Sequence, residues 1–186
     1  NNQLILIPLV RARIKIRAVE SRINKTSKDV DLGYIRLKQF NANSAREMKK
    51  TIIKFEENKV MGYILDLRGN PGGLLEASVE IARQWMDQGV IVSTKTKDGI
   101  TDIRRANGKA LTNRPVIVLI NEGSASASEI LSGALQDNER ATLVGERTFG
   151  KGLVQSVRGL SDGSGITVTI AKYLTPKGKD IHKNGI

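Results

Sequence analysis

Apolar positions along the chain follow two periods, and the switches between them predict a mixed α/β order. Leu4 to Val19 contains Arg11-Ala12-Arg13-Ile14-Lys15-Ile16-Arg17, the alternation of a strand with one wet face. A basic, turn-like stretch follows at Asn24 to Asp29, then a short strand at Gly33 to Leu37. Asn43-Ser44 predicts a helix start, with Ser44 capping the backbone, Glu47 reaching back, and Met48, Ile52 and Phe55 lining one face. Met61 to Leu67 is apolar enough for a buried strand, and Arg68-Gly69-Asn70-Pro71-Gly72-Gly73 breaks it. The next helix carries Leu75, Val79, Ala82 and Met86 on one stripe, and Gly89 suits its C-terminal cap. Val90 to Thr94 and Ile100 to Arg104 flank Lys97-Asp98-Gly99 as a hairpin. Pro115 introduces a buried strand, Val116 to Ile120, which ends in Asn121-Glu122-Gly123 before a helix from about Ser126 to Leu135. Ala141 to Val144, Val154 to Val157 and Ile166 to Tyr173 complete the strand set.

Two strand-loop-helix units therefore recur, each with glycine where a buried strand hands over to a helix. In open α/β sheets, ligands and reacting groups collect at such carboxyl ends. The first loop, Arg68 to Gly73, lacks both the Lys-Ser/Thr ending of a phosphate loop and the dinucleotide glycine spacing. Gly72 or Gly73 could leave a backbone amide unscreened before a developing oxyanion, though on composition alone a plain structural turn is the first reading of the glycines. The second loop, Asn121 to Glu129, sets Ser124, Ser126 and Ser128 in a small-residue frame at a helix N-terminus. That is good ground for a serine nucleophile, but the loop taken alone reads first as an ordinary helix cap with Glu129 in the first turn.

Composition narrows the chemistry. The chain has 186 residues, one of them His and none Cys, so disulfide scaffolds, cysteine zinc sites and thiol catalysis are excluded. A Ser-His-Asp triad would have to be built on His182, which lies near the chain end and reads as a surface residue. A hydrolase built from this chain needs another base. Lys151 offers one: in Thr148-Phe149-Gly150-Lys151-Gly152-Leu153-Val154-Gln155 a lone cation sits between glycines, beside apolar residues. A lysine turned into a dry pocket is pushed toward its neutral form, at a cost of roughly 3 to 5 kcal/mol for a shift from about 10.4 to 7 or 8. Gln155, four residues on, falls on the same face if the segment is extended, and can hold the amine without charging it. A solvated lysine at a glycine-rich turn is the alternative.

The net charge of +11 raises nucleic-acid binding. The cations are spread along the chain, aromatic residues are only 4%, and no recognition motif accompanies them, so a basic surface accounts for the charge and no nucleic-acid partner is expected. The apolar runs Leu4 to Val10 and Val116 to Ile120 are too short to cross a bilayer. Arg11 and Arg13 follow the first run, on the wrong side for a signal peptide. Trp85, beside Met86 on a helix, reads as packing.

Three segments in this order resemble the carboxyl-terminal processing peptidases, Ser-Lys enzymes with an α/β, crotonase-like core of βα units and additional strands. Asp66 to Gly73 resembles the family's glycine-rich loop, Gly123 to Glu129 its nucleophile segment, and Thr148 to Gly152 with Gln155 its base segment. The resemblance runs from about Arg11 to Ile186. It implies Ser126 as nucleophile, Lys151 as general base, Gln155 as the residue orienting the lysine, and the amides of Ala127 and of Gly72 or Gly73 as oxyanion hole. Asp137 matches an acidic position of structural role, and Ser124 and Ser128 fit as frame and cap. The implied function is a serine endopeptidase cleaving near the C-terminus of protein substrates through an acyl-enzyme, with no metal or organic cofactor. The implied setting is extracytoplasmic: periplasm, cell exterior or thylakoid lumen. Ser161 to Ala171 is especially similar to the photosynthetic branch, whose substrate is the precursor of a reaction-centre subunit, a membrane protein. Family members usually carry a PDZ domain, which is expected to be lacking here, with Asn1 to Val10 at most its last strand and 11–186 the catalytic core. A catalytically inactive, peptidase-like binding module is the competing expectation.

Overall fold

The computed structural model describes residues 17–186. The expectations for Leu4 to Val10 and for the alternation through Ile16 lie outside the described residues. The first strand, β1 (Val19–Lys25), begins where the expected one ended and takes in Asn24 and Lys25, which had read as turn. It is a mostly exposed strand whose polar sequence, Val-Glu-Ser-Arg-Ile-Asn-Lys, gives little apolar alternation to detect. Its pairing partner supplies the order: β1 runs antiparallel to β2 (Asp31–Leu37) from Val19–Leu37 to Lys25–Asp31.

From β2 the chain passes through α1 (Ser44–Glu57) to β3 (Gly62–Asp66), then through α2 (Leu75–Trp85) and the hairpin β4 (Val90–Thr96) and β5 (Gly99–Arg105). It continues as β6 (Val116–Ile120), α3 (Ala127–Asp137), β7 (Thr142–Gly145), β8 (Leu153–Gly159) and β9 (Gly165–Leu174). Among the described residues one sheet has the order β1-β2-β3-β6-β7, parallel from β2 onward, and the other the order β5-β4-β9-β8, antiparallel. Parallel neighbours demand crossovers, and α1, α2 and α3 provide or accompany them. The α/β class is as the periodicities indicate.

The apolar stripes bury as expected. Met48, Ile52 and Phe55 of α1 and Val79 and Ala82 of α2 are core residues, and Trp85 is fully buried, edge-on to the Tyr63 ring. Two helix ends differ from expectation. The α1 N-cap is Asn43 without a side-chain cap bond; Ser44 Oγ donates instead to the Asn41 carbonyl, and Glu47 Oε2 accepts from the amides of Ala18 and Val19 at 2.9 and 3.1 Å. Glu47 thus satisfies β1 rather than its own helix. Helix α2 ends at Trp85 with Met86 as C-cap, so Gly89 is not its cap. Gly89 has φ +103° for another reason: a Cβ there would lie 2.0 Å from Asn138 Oδ1.

Asp66, the last residue of β3, is a buried carboxylate at the edge of the glycine-rich loop. It accepts from Tyr34 Oη at 2.6 Å and from Arg68 through the backbone N (3.0 Å), Nε (2.9 Å) and Nη2 (2.8 Å). Burial alone would raise its pKa, but the Arg68 and Tyr34 hydrogen bonds outweigh it and hold the group at about 2. A depressed carboxylate pKa stabilises the fold fully above the ordinary value of 3.8 and loses that contribution as pH falls toward 2. Acid titration of thermal stability is expected to show this loss in the wild type and to flatten over that window in Asp66→Asn.

Candidate active site

Both candidate loops leave parallel neighbours of one sheet at their carboxyl ends, the first after β3 and the second after β6. Backbone and small side chains join them closely. Ser124 Oγ donates to the Leu67 carbonyl at 2.8 Å, Ser128 Oγ to the Asn70 carbonyl at 2.9 Å, and Asn121 Oδ1 accepts from the amides of Gly69 and Gly123 at 2.8 and 3.1 Å. Ser124 and Ser128 are fully buried in these contacts, as frame residues should be. Asn70 Nδ2 ties the first loop to β2 through the Leu37 carbonyl at 2.7 Å.

Ser126 is the N-cap of α3, with φ 56° and ψ −113°, a conformation that L residues rarely adopt and that costs on the order of 1–3 kcal/mol. The strain presents a half-buried serine at the tip of a sharp loop-to-helix turn. Gly72 lies directly against it: a Cβ on Gly72 would be 2.8 Å from Ser126 Cβ and 2.9 Å from the Ala127 nitrogen. Ala127 opens the helix, where first-turn amides have no intrahelical partner. The Gly72 amide is engaged, donating to Asn70 Oδ1 at 2.9 Å, whereas the Gly73 amide has no hydrogen-bond partner among the described residues.

The third segment joins the other two. Phe149 N donates to the Ser124 carbonyl at 3.0 Å. Glu129, fully buried, accepts from Ser126 N (2.7 Å) and Lys151 N (2.8 Å) on Oε2, and from Thr148 Oγ1 (2.7 Å) and Gly150 N (2.6 Å) on Oε1. The residue that reads in sequence as a first-turn acid is a four-way junction. Its partners beyond the helix lie 19 to 22 residues downstream, a distance over which local motifs give no signal.

Lys151 differs from expectation in one respect: it is solvent-exposed rather than enclosed by the described residues. Gln155 is exposed as well. The extended segment starts only at Leu153, so the shared-face inference for Lys151 and Gln155 applies to part of the span, and β9 bulges between the partners of Val154 and Gln155. Asp137 is held away in structure-forming contact, its Oδ2 accepting from the Lys177 amide at 2.9 Å. His182 is half-buried rather than a free surface residue: its backbone N lies 2.4 Å from where a Cβ on Gly152 would stand, and its Nδ1 is buried without a partner among the described residues. At the rim, a hydrogen bond with Glu122 raises the pKa of the exposed Glu146 carboxyl.

This architecture is that of a known class of peptidase structures. A photosystem II D1 C-terminal processing protease superposes with a TM-score of 0.88 at 41% identity, over 95% of this chain and 48% of that one. The chain belongs to peptidase family S41, whose sequence model matches residues 31–186. A carboxyl-terminal-processing protease of Synechocystis sp. is 54% identical over 96% of this chain and 42% of its own length. The carboxy-terminal processing protease CtpA of Bacillus subtilis is 38% identical over 97% and 38%. The chain thus spans less than half the length of these relatives.

Proposed function

We propose that residues 11–186 form the catalytic core, crotonase-like in fold, of a serine endopeptidase that cleaves protein substrates near their C-termini. The observation that carries this reading is the single oxygen, Glu129 Oε2, that accepts from the amides of both Ser126 and Lys151. Nucleophile and base segments are thereby kept within two hydrogen bonds of each other.

In the reaction, neutral Lys151 takes the Ser126 hydroxyl proton as Oγ attacks the scissile carbonyl carbon. Negative charge on the carbonyl oxygen is met by the Ala127 amide and that of Gly72 or Gly73. Use of the Gly72 amide requires release of its bond to Asn70 Oδ1; the Gly73 amide requires no such exchange. Collapse breaks the C–N bond, and the lysine gives its proton to the leaving nitrogen. Water then loses a proton to the lysine, attacks the acyl carbon, and frees the shortened protein with a new C-terminal carboxylic acid, while the proton returns to Ser126. Gln155 orients the amine. Lys151 is exposed among the described residues, and desolvation by bound substrate favours the uncharged form of a lysine amine in general.

The similar photosystem II D1 C-terminal processing protease supports a protein C-terminal tail as substrate; from the family resemblance we propose that this substrate is a membrane protein, met in an extracytoplasmic space such as the thylakoid lumen. Among the described residues no helix is long and apolar enough to cross a membrane. The exposure of Lys151 favours one second reading, a peptidase-like binding module without turnover. A fluorophosphonate probe separates the two. Stoichiometric modification of Ser126, lost in Lys151→Ala, is the expected result; a folded, tail-binding protein that takes up no label supports the binding module.

A further inference from the structure

Glu129 is a buried ionisable group that the proposed chemistry does not use. All four of its donors are uncharged, three backbone amides and one hydroxyl, so the carboxylate is held by directed hydrogen bonds. A buried charge is costly unless its lone pairs are filled, and four short bonds fill them. The donors come from two stretches of chain. One is Ser126 itself; the other is Thr148, Gly150 and Lys151. The second stretch is clamped from behind: Thr148 Oγ1 also accepts from the Ile186 amide at 2.8 Å, Thr148 N donates to the Ile186 carbonyl at 3.3 Å, and Lys183 N donates to the Gly150 carbonyl at 2.9 Å. The base segment is therefore gripped between α3 and the segment ending at Ile186, with Glu129 the side chain at the grip.

We infer that Glu129, with Thr148 as its hydroxyl partner, is a positioning residue that sets the distance and orientation of Lys151 relative to Ser126. This rests on the Ser126–Lys151 reading above. The geometry requires a carboxylate. Glutamine has one acceptor and one NH2 group, so in either orientation its NH2 end would face hydrogen-bond donors, at least one of them a backbone amide. Aspartate, one methylene shorter, cannot keep four bonds of 2.6 to 2.8 Å. Because misplacement of a reacting group by about 1 Å costs about 10²-fold in rate, loosening the grip is expected to act on turnover rather than on peptide capture.

The test is tail-peptide cleavage and fluorophosphonate labelling by the intact protein as wild type, Glu129→Gln, Thr148→Val and Thr148→Ser. Tail-peptide affinity is measured in parallel with each change combined with Ser126→Ala. Glu129→Gln is expected to lower kcat and the labelling rate about 10²-fold, with KM and the affinity of the Ser126→Ala pair within about twofold. Thr148→Val is expected to fall in the same direction and Thr148→Ser to recover most of the rate. Wild-type kcat in both Glu129→Gln and Thr148→Val, or affinity lost in step with kcat, overturns the positioning role. If Glu129→Gln does not fold, the Thr148 pair decides alone. A wild type that cleaves and labels only through a residue other than Ser126 overturns the reading beneath it, an outcome distinct from failure of the Glu129 variants.

Discussion

Replacing Ser126 by alanine is expected to lower kcat for tail-peptide cleavage by about 10⁴-fold or more, and Lys151→Ala by a similar factor, with the double variant no worse than either. The non-additivity is the informative part. In the proposed mechanism nucleophile and base act as one unit, so removing either removes the proton-coupled attack, and what remains is the binding and oxyanion contribution common to all three variants. Lys151→Arg sharpens the test. Arginine preserves positive charge and much of the side-chain length but stays protonated throughout the accessible pH range, so it cannot take the serine proton. It is expected to be as inactive as the alanine variant while folding with an unchanged thermal midpoint, since an exposed residue carries little packing. Activity in Lys151→Arg above about a hundredth of wild type would remove Lys151 from the base role, and activity in Ser126→Ala would remove the nucleophile.

The exposure of Lys151 sharpens what the sequence could and could not convey. Local chemistry was legible. Apolar spacing located α1, α2 and β3 because each buries a stripe or run, whereas β6, expected as a buried strand, buries only Val116, Val118 and Ile120 and leaves Ile117 exposed; the small residues around Ser126 marked a close-packed loop. Long-range hydrogen bonding was not legible. Glu47 and Glu129 each lie three residues after a serine, where a capping acid is expected, yet Glu47 reaches across to Ala18 and Val19, and Glu129 divides its oxygens between its own N-cap and the base segment. Both residues fit the same local pattern; only tertiary packing decides which donors arrive. Strand β1 gave little signal for a related reason, since a mostly exposed strand, at the edge of its sheet among the described residues, is ordered by its partner's backbone rather than by its own apolar alternation. His182 reads as a tail residue by position, but the chain from Asp180 to Ile186 folds back on Gly150, Gly152 and Thr148. The dry enclosure expected for the lysine is not formed by the described residues, which leave Lys151 exposed.

The close approach of the first loop to Ser126 leads to the second large effect, in Gly72→Ala. The added methyl would meet the Ala125 carbonyl oxygen at 2.6 Å, Ser126 Cβ at 2.8 Å and the Ala127 nitrogen at 2.9 Å. None of these is the free end of a flexible side chain. Two are backbone atoms of the turn around Ser126, and the third is the Ser126 Cβ that carries the proposed nucleophilic oxygen, in a residue already at φ 56°. Relief must therefore displace Ser126 or the glycine loop, and either motion separates the hydroxyl from the amides proposed as the oxyanion hole. Gly72 itself has φ +97°, so alanine adds backbone strain of on the order of 1–3 kcal/mol. Loss of an aligned oxyanion donor alone costs about 10² to 10³ in kcat, and displacement of the nucleophile compounds it. Gly69→Ala separates strain from contact, because Gly69 has φ +69° but nothing within 4 Å of its added methyl. Gly69→Ala is expected to lose stability of the order of 1 kcal/mol and keep kcat within severalfold of wild type, whereas Gly72→Ala is expected to lose activity at least 10²-fold further. Equal kcat in the two variants, measured on samples matched for folded fraction, would show that the Gly72 backbone does not border the reacting carbonyl.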